Sequence, residues 1–471
     1  MRVTHVSLRP TEAAAQAGCP ALTPELLAAT GARYSRNNEG LEAILAKIDP
    51  ARLDASVDAI FKMIDYGHQS IADMAAVAMF IDGVSLWLAY YVWTLCPTAG
   101  GQESSTRYIQ LGQDGLIDPG VLGIPAADQA AWRQAMTETF TAYQEALADW
   151  DLVAQEKPEA ARIPESLRND PDPKTRKKVE RMIRNYNFDR ARYFLPLAAS
   201  TNLMLVMSAR GWVTLCQHLC SHPLPEARTL GETIADRLRF CAPRLIRHAR
   251  RTDSFADGIA AEFAGWSQAA RELPNDLFQP GGSLEHPVNP YLDVLPATGV
   301  GPARMAQDLR FHSNRYAWFG PDLRRTAVRF GYQAVAIAEI RDLNRHRTGN
   351  KYCPLVPQGF YYAGDEIPAG FSATRQAGFL NRRDTGRRLN AEALARLRAG
   401  DPSYLYWTLL GTQFPFEHTT TADKFLYEAE LRTGIGAHYR YADHLRDSLQ
   451  LWYQRYPETR GLVLEGTAEP E

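Results

Sequence analysis

Two stretches of the chain carry residues suited to holding anions. "RDLNRHRTGNKY", residues 341–352, sets Arg345 and Arg347 on either side of His346 where a helical pattern ends. Guanidinium forks bind phosphate and carboxylate in two-pronged fashion, so the flanked histidine suits a pyrophosphate. The same cations would also offset the dipole at a helix C-terminus with no ligand present. "GQESSTRY", residues 101–108, is a glycine-opened loop carrying Glu103, Ser105 and Arg107. Its hydroxyls, loop N–H groups and guanidinium suit a phosphate; it also reads as an ordinary Ser/Thr turn with a surface arginine.

The elements that must position these residues come in matching pairs. "MFIDGVSLWLAYYVWTLC" (79–96) has the same shape as "RFGYQAVAIAEIRDLNRHR" (329–347): a short strand with aromatic character, a turn, then a helix opening on small apolar residues. "LPLAASTNLMLVMSARGWVTLCQHLC" (195–220) matches "LLGTQFPFEHTTTADKFLYEAELRT" (409–433) through a Leu-rich entry, a Thr and a long helix. Such internal similarity points to two copies of one domain. The Pro/Gly-rich stretch Pro274–Pro302 reads as the linker, giving domains over 1–273 and 303–471. Met74–Cys96 is long and apolar enough for a membrane helix of about 20 residues. Asp82-Gly83 splits it, however, into a strand over Ala75–Ile81 and a buried helix over Ser85–Cys96.

Composition narrows the function classes. Lys+Arg 52 against Asp+Glu 54 leaves a net charge of -2, which argues against a protein that coats nucleic acid. The basic run in Asn169–Phe194 reads as a solvated helix face, and the basic insert Ala369–Pro402 as a cover for the second domain. The six cysteines form no CxxC pair. Cys216 and Cys220 at i, i+4 lack the four ligands zinc needs, so reduced thiols and no metal are expected. The N-terminus has no apolar core of signal-peptide type, and a cytoplasmic protein is expected.

In order and spacing the motifs resemble the flavin-dependent thymidylate synthases. The first half carries "HQSIAD" (His68, Ser70, Asp73), "SSTRY" (Ser105, Arg107), "ARYFLP" (Arg192) and "SAR" (Arg210); the second carries "RHR" (345–347) and "ELRT" (Arg432). The departures are complementary. The triplet's place in the first half falls at Leu95-Cys96-Pro97, and "PQGFYY" stands where the second half should have its Ser-x-Arg-Tyr. Thr421 and Asp423 occupy the Asn-x-Arg places, and Asp342 stands where the family has Gln.

The resemblance implies an α/β (α+β) fold of two tandem domains, each a mixed sheet packed with long helices. It implies FAD as cofactor, with NADPH and methylenetetrahydrofolate as co-substrates. The reaction would transfer a one-carbon unit to C5 of a uridine nucleotide, as in dUMP to dTMP. Glu103, Ser105, Arg107 and Arg192 would bind the nucleotide; His68, Ser70, Arg210, Arg345, His346 and Arg347 would bind FAD; Arg432 would be catalytic. A homodimer, equivalent to a tetramer of domains, would complete the sites. The alternatives are a non-catalytic flavin- or nucleotide-binding descendant and an enzyme modifying C5 of another pyrimidine nucleotide. Neither a membrane nor a nucleic acid is expected as partner.

Overall fold

The computed structural model describes residues 1–35, 38, 40–49, 55, 57–58, 69–371, 373–434 and 436–466, without the side chains of 373–375. Two compact units result. The first comprises Met1–Ser104, Ile117–Ile124 and Ser200–Phe263; the second comprises Ser105–Leu116, Pro125–Ala199 and Ala264–Glu471.

In the first unit β1 (Arg2–Val6), β2 (Ala76–Ser85), β3 (Gly100–Glu103) and β4 (Ser200–Ser208) form a sheet ordered β1-β2-β4-β3. Asp82-Gly83 is a bulge: the register shifts between Asp82 and Val84, and Gly83 takes a left-handed φ of 72° that glycine adopts without strain. Ser85 then caps the helix Leu86–Leu95, its Oγ accepting from the Leu88 N–H at 3.0 Å. That helix is apolar all round and almost wholly buried, as a core helix must be. The apolar stretch is thus a strand and a core helix. No helix among the described residues is long and apolar enough to cross a membrane.

β4 repeats the device. Ser208 Oγ accepts from the Gly211 N–H at 3.1 Å and starts the helix Ala209–Cys220. Trp212, Leu215, Cys216 and Leu219 form its buried stripe. Burial, with Cys220 and Cys96 beside it, pushes the Cys216 thiol well above its ordinary range, so it stays protonated.

The second unit holds β5 (Pro290–Leu295), β6 (Ala327–Ala336), β7 (Asn350–Tyr352), β8 (Gly359–Phe360) and β9 (Thr412–Thr421). Their order is β5-β6-β9-β7, with β8 also pairing β9. Strand for strand, this is the order of the first sheet. β6 also shifts register near its end, between Tyr332 and Val335, and runs into the helix Ile337–Leu343; β9 runs into Ala422–Arg432. Both sheets need a glycine at one place. A Cβ on Gly101 would lie 1.9 Å from the Met204 carbonyl oxygen, and one on Gly349 2.0 Å from that of Thr419.

Three expectations take a different form. The class is α/β, but every strand pair among the described residues is antiparallel rather than mixed. Long helical excursions between β3 and β4, and between β8 and β9, return the chain from the opposite end. Pro274–Pro302 contains the edge strand β5, and a proline at the first residue of an edge strand is tolerated. It is also held by hydrogen bonds from Phe360 N–H to the Leu284 carbonyl (2.8 Å) and from Arg387 to that of Gln279 (2.6 Å). Residues 125–199 belong to the second unit instead of completing a domain over 1–273. The helix Gln129–Glu156 packs there: Trp150 meets Phe379 at 5.2 Å between ring centres, and Trp132 Nε1 donates to the Tyr406 carbonyl at 3.0 Å. The next long helix, Pro173–Ala191, exposes Lys174, Arg176, Arg181 and Arg184, the solvated face expected of its basic run.

Candidate functional site

Arg107 stands in the loop after β3 and is 5% exposed. Its guanidinium makes a two-pronged contact with Asp189, Nε to Oδ1 at 2.8 Å and Nη2 to Oδ2 at 3.1 Å. Nη2 also donates to the Gly436 carbonyl at 2.9 Å. Ser105 Oγ accepts from the Arg107 N–H at 3.2 Å, which tightens the loop. Beside them is a cleft of about 340 Å³, bounded by Arg107, Tyr186, Arg190, Thr433, Gly436 and Arg446. Asp189 lines the cleft as well, so the cations, the hydroxyl and the glycine-flanked backbone that could hold an anionic ligand stand beside a carboxylate already paired with Arg107.

Asp342, buried on the helix Ile337–Leu343, is the centre of a second group. Arg192 Nη2 donates to its Oδ2 at 3.0 Å and to the Ala338 carbonyl at 3.4 Å. Arg345 Nε lies 3.8 Å from Oδ1. Burial alone would raise the Asp342 carboxyl, but the charges of Arg192, Arg345, Arg107 and Arg432 outweigh it and hold it well below the carboxylate range. Arginines from both halves of the sequence therefore converge on one carboxylate.

The Arg-His-Arg triplet lies just beyond that helix, whose C-cap is Asn344. Arg432, at the end of its own helix, donates from Nε to His346 Nε2 at 2.8 Å. An acceptor at Nε2 requires a neutral imidazole with its proton on Nδ1. Burial, reinforced by Arg432, His418 and Lys351 against the pull of Glu428, pushes His346 down to about 3. Glu428, one helical turn before Arg432, lies 3.1 Å from His418 Nδ1. His418 Nε2 in turn donates to the Thr348 carbonyl at 2.7 Å, and Lys351 donates to that of His346. The triplet's loop is thus fixed at both its backbone and its side chain.

A buried carboxyl, Glu339, sits one turn from Asp342. Tyr193 donates to its Oε1 at 2.6 Å and the Ala336 N–H to its Oε2 at 3.1 Å. Burial raises it to about 7 in spite of Arg440 and Arg192.

Ser105, Arg107, Arg192, Arg345, His346, Arg347 and Arg432 all fall in the second unit. Glu103, Ser70 and Arg210 fall in the first. There Arg210 pairs with Asp73 at 2.9 Å, both half exposed, and Glu103 pairs with Leu203 across the sheet. His68 lies outside the described residues. Arg345 and Arg347 present guanidinium donors of the type that hold a diphosphate; burial, with Arg345 beside it, lowers the pKa of Arg347. Asp189, Glu339, Glu428 and His418 were not singled out from the sequence. The available signal was a carboxylate one turn or less from a motif arginine, as Asp189 is from Arg192 and Glu428 from Arg432.

Comparison with known proteins places this geometry in context. The family model described as "Thymidylate synthase complementing protein" matches residues 21–244. The flavin-dependent thymidylate synthase of Clostridium tetani (strain Massachusetts / E88) is 22% identical over 227 residues, 48% of this chain and 82% of that protein. That of Geobacter sulfurreducens is 23% identical over 229 residues, again 48% and 82%. Among solved structures, a UMP/dUMP methylase PolB from Streptomyces cacaoi bound with 5-Br dUMP is similar over 52% of this chain and 93% of its own, at 14% identity and a TM-score of 0.30.

Proposed function

Because residues 21–244 match the thymidylate synthase complementing protein family, we propose that this chain is a FAD-dependent enzyme transferring a one-carbon unit to C5 of a uridine nucleotide, as in dUMP to dTMP. The observation that carries this reading is the meeting of Arg192 (3.0 Å) and Arg345 (3.8 Å), from opposite halves of the sequence, on buried Asp342. Arg107 beside them holds Asp189, so three guanidiniums meet two carboxylates and one positive charge is left over. A phosphate monoester, at about -1.5 to -2, is the kind of anion such a cluster attracts.

In this reading Glu103, Ser105, Arg107 and Arg192 hold the nucleotide. Arg345, His346 and Arg347, with His68, Ser70 and Arg210, hold FAD, which when bound supplies hydride, with methylenetetrahydrofolate as carbon donor and NADPH as reductant. Arg432, its Nε–H committed to neutral His346, presents an oriented guanidinium to the uracil ring as negative charge develops. One aimed donor of this kind lowers a barrier by about 3 kcal/mol. The equal strand orders of the two sheets support a tandem duplication; the reading further takes the protein to be a cytoplasmic dimer, equivalent to a tetramer of domains.

A second reading has a specific observation behind it. Arg107 and Arg192 are already engaged by buried carboxylates, so an incoming phosphate must share or displace Asp189 or Asp342. That favours a binding protein without the chemistry, or an enzyme for another pyrimidine nucleotide. The test is to load the protein with FAD, add NADPH, and follow flavin bleaching and tritium release from dUMP labelled at C5. Bleaching with release supports the synthase reading; a protein that takes up no FAD supports the second.

A further inference from the structure

Glu339 is 0% exposed, yet a line of hydroxyls leads from it to the surface. Tyr193 OH donates to Glu339 Oε1 at 2.6 Å, and Tyr439 OH donates to Tyr193 OH at 3.4 Å. Tyr361 OH and Tyr439 OH are 3.1 Å apart, with either able to donate, and Tyr361 OH donates to Asp365 Oδ1 at 2.6 Å. The Asp365 side chain is 55% exposed. Two guanidiniums lie over the relay rings, that of Arg440 3.3 Å over Tyr361 and that of Arg190 4.1 Å over Tyr439.

We propose that Tyr193, Tyr439 and Tyr361 form a proton relay between buried Glu339 and solvent at Asp365, and that it takes up the proton released when the hydrogen at C5 of the nucleotide is replaced. The use of the relay rests on the proposed reaction; its existence does not. In use the transfer runs outward and balances at every step. The C5–H bond breaks and its proton forms an O–H bond on the Glu339 carboxylate; Glu339 then protonates the Tyr193 oxygen as Tyr193 gives its own proton to Tyr439, Tyr439 to Tyr361, and Tyr361 to Asp365. Each O–H bond broken along the line is replaced by one formed, and Asp365 returns the proton to solvent. Inward transfer is the reverse.

The groups facing Glu339 set its readiness to exchange. Tyr193 and Arg192 reach it from the segment before β4, Asp342 from its own helix, and Arg440 from the helix Tyr439–Arg455. His438, 3.5 Å from the Tyr193 hydroxyl, faces the relay one step out. Burial raises Glu339 to about 7, so both of its states are accessible near neutrality.

Infrared spectroscopy on the whole protein reads the relay directly. At pH 6 the wild type should show a carboxylic-acid C=O band that Glu339→Gln removes. On mixing into deuterated water, that band should shift on the order of 100-fold more slowly in Tyr361→Phe and Tyr439→Phe than in wild type, the scale of a lost proton-transfer group. Thermal midpoints and circular dichroism of the variants establish that they fold. Exchange as fast as wild type in both Phe variants, or a wild type without the band, overturns the relay. Its use is read separately: Tyr361→Phe should lower kcat and flatten the acidic limb of the pH profile while nucleotide affinity holds. Slow exchange with unchanged turnover overturns the use and leaves the relay standing. If wild type exchanges as expected but performs no C5 chemistry, the functional reading has failed and the relay has not.

Discussion

Arg192 and Asp342, 150 residues apart in the chain, share a buried hydrogen bond of 3.0 Å. It joins Arg192 of the first half to a carboxylate three residues before the Arg-His-Arg triplet of the second. The carboxylate neutralises part of an arginine cluster that would otherwise repel itself.

Asp342→Asn should therefore act in two directions. Removing one partner of a buried pair costs about 3 kcal/mol of stability, measured by denaturant unfolding. The freed guanidiniums should bind a nucleoside monophosphate roughly tenfold more tightly, about 1.4 kcal/mol, measured by calorimetry. Weaker binding in the variant would mean that Asp342 itself belongs to the recognition surface.

Arg432→Ala should lower kcat on the order of 100-fold while the flavin spectrum of the loaded protein stays intact. Arg432→Lys should recover little, because an ammonium cannot reproduce the fixed plane that the His346 contact sets. Full turnover in the alanine variant would remove Arg432 from the chemistry.

Glu339 makes stability depend on pH near neutrality. With its pKa raised from 4.5 to about 7, the folded state binds more protons than the unfolded chain in that window. Its contribution is complete below pH 4.5 and is lost as pH rises through 7. From this group wild type should lose on the order of 3 kcal/mol across the window, and Glu339→Gln should lose none. Thermal midpoints of the two proteins between pH 5 and 8 give the difference.

His346 acts with the opposite sign. Its pKa is lowered from 6.5 to about 3, so the unfolded chain takes up a proton that the folded state refuses. Stability should fall as pH drops from 6.5 toward 3. Glu428, lowered to about 2 by His346, His418 and Lys351 in spite of burial, adds to the loss below 4.5. His346→Gln should unfold less steeply between pH 6.5 and 4.5, as read by circular dichroism.

How much of this could be read from residues alone follows from the range of the interactions. The strand-turn-helix at 75–96 was legible because its apolar run, its Asp-Gly break and its serine cap are local, and the structure places β2 at Ala76–Ser85 and the helix at Leu86–Leu95. The meeting of Arg107 with Asp189 was not, since the spacing of Asp189 from Arg192 can mark the carboxylate but not a partner 82 residues away. Pro290–Leu295 escaped notice as a strand because flanking prolines and glycines are the signature of a loop, and an edge strand needs only one neighbour to form. The division into units failed to follow the linear boundary for the same reason. The partners of Trp132 and Trp150 lie in the other half of the chain.

That last packing makes the chain hard to divide at the Pro/Gly-rich stretch. A fragment ending at residue 273 would carry the helix Gln129–Glu156 with Trp132 and Trp150 stripped of Tyr406 and Phe379; its complement would expose the other side of the same seam. Neither fragment should therefore fold to a stable, soluble product on its own.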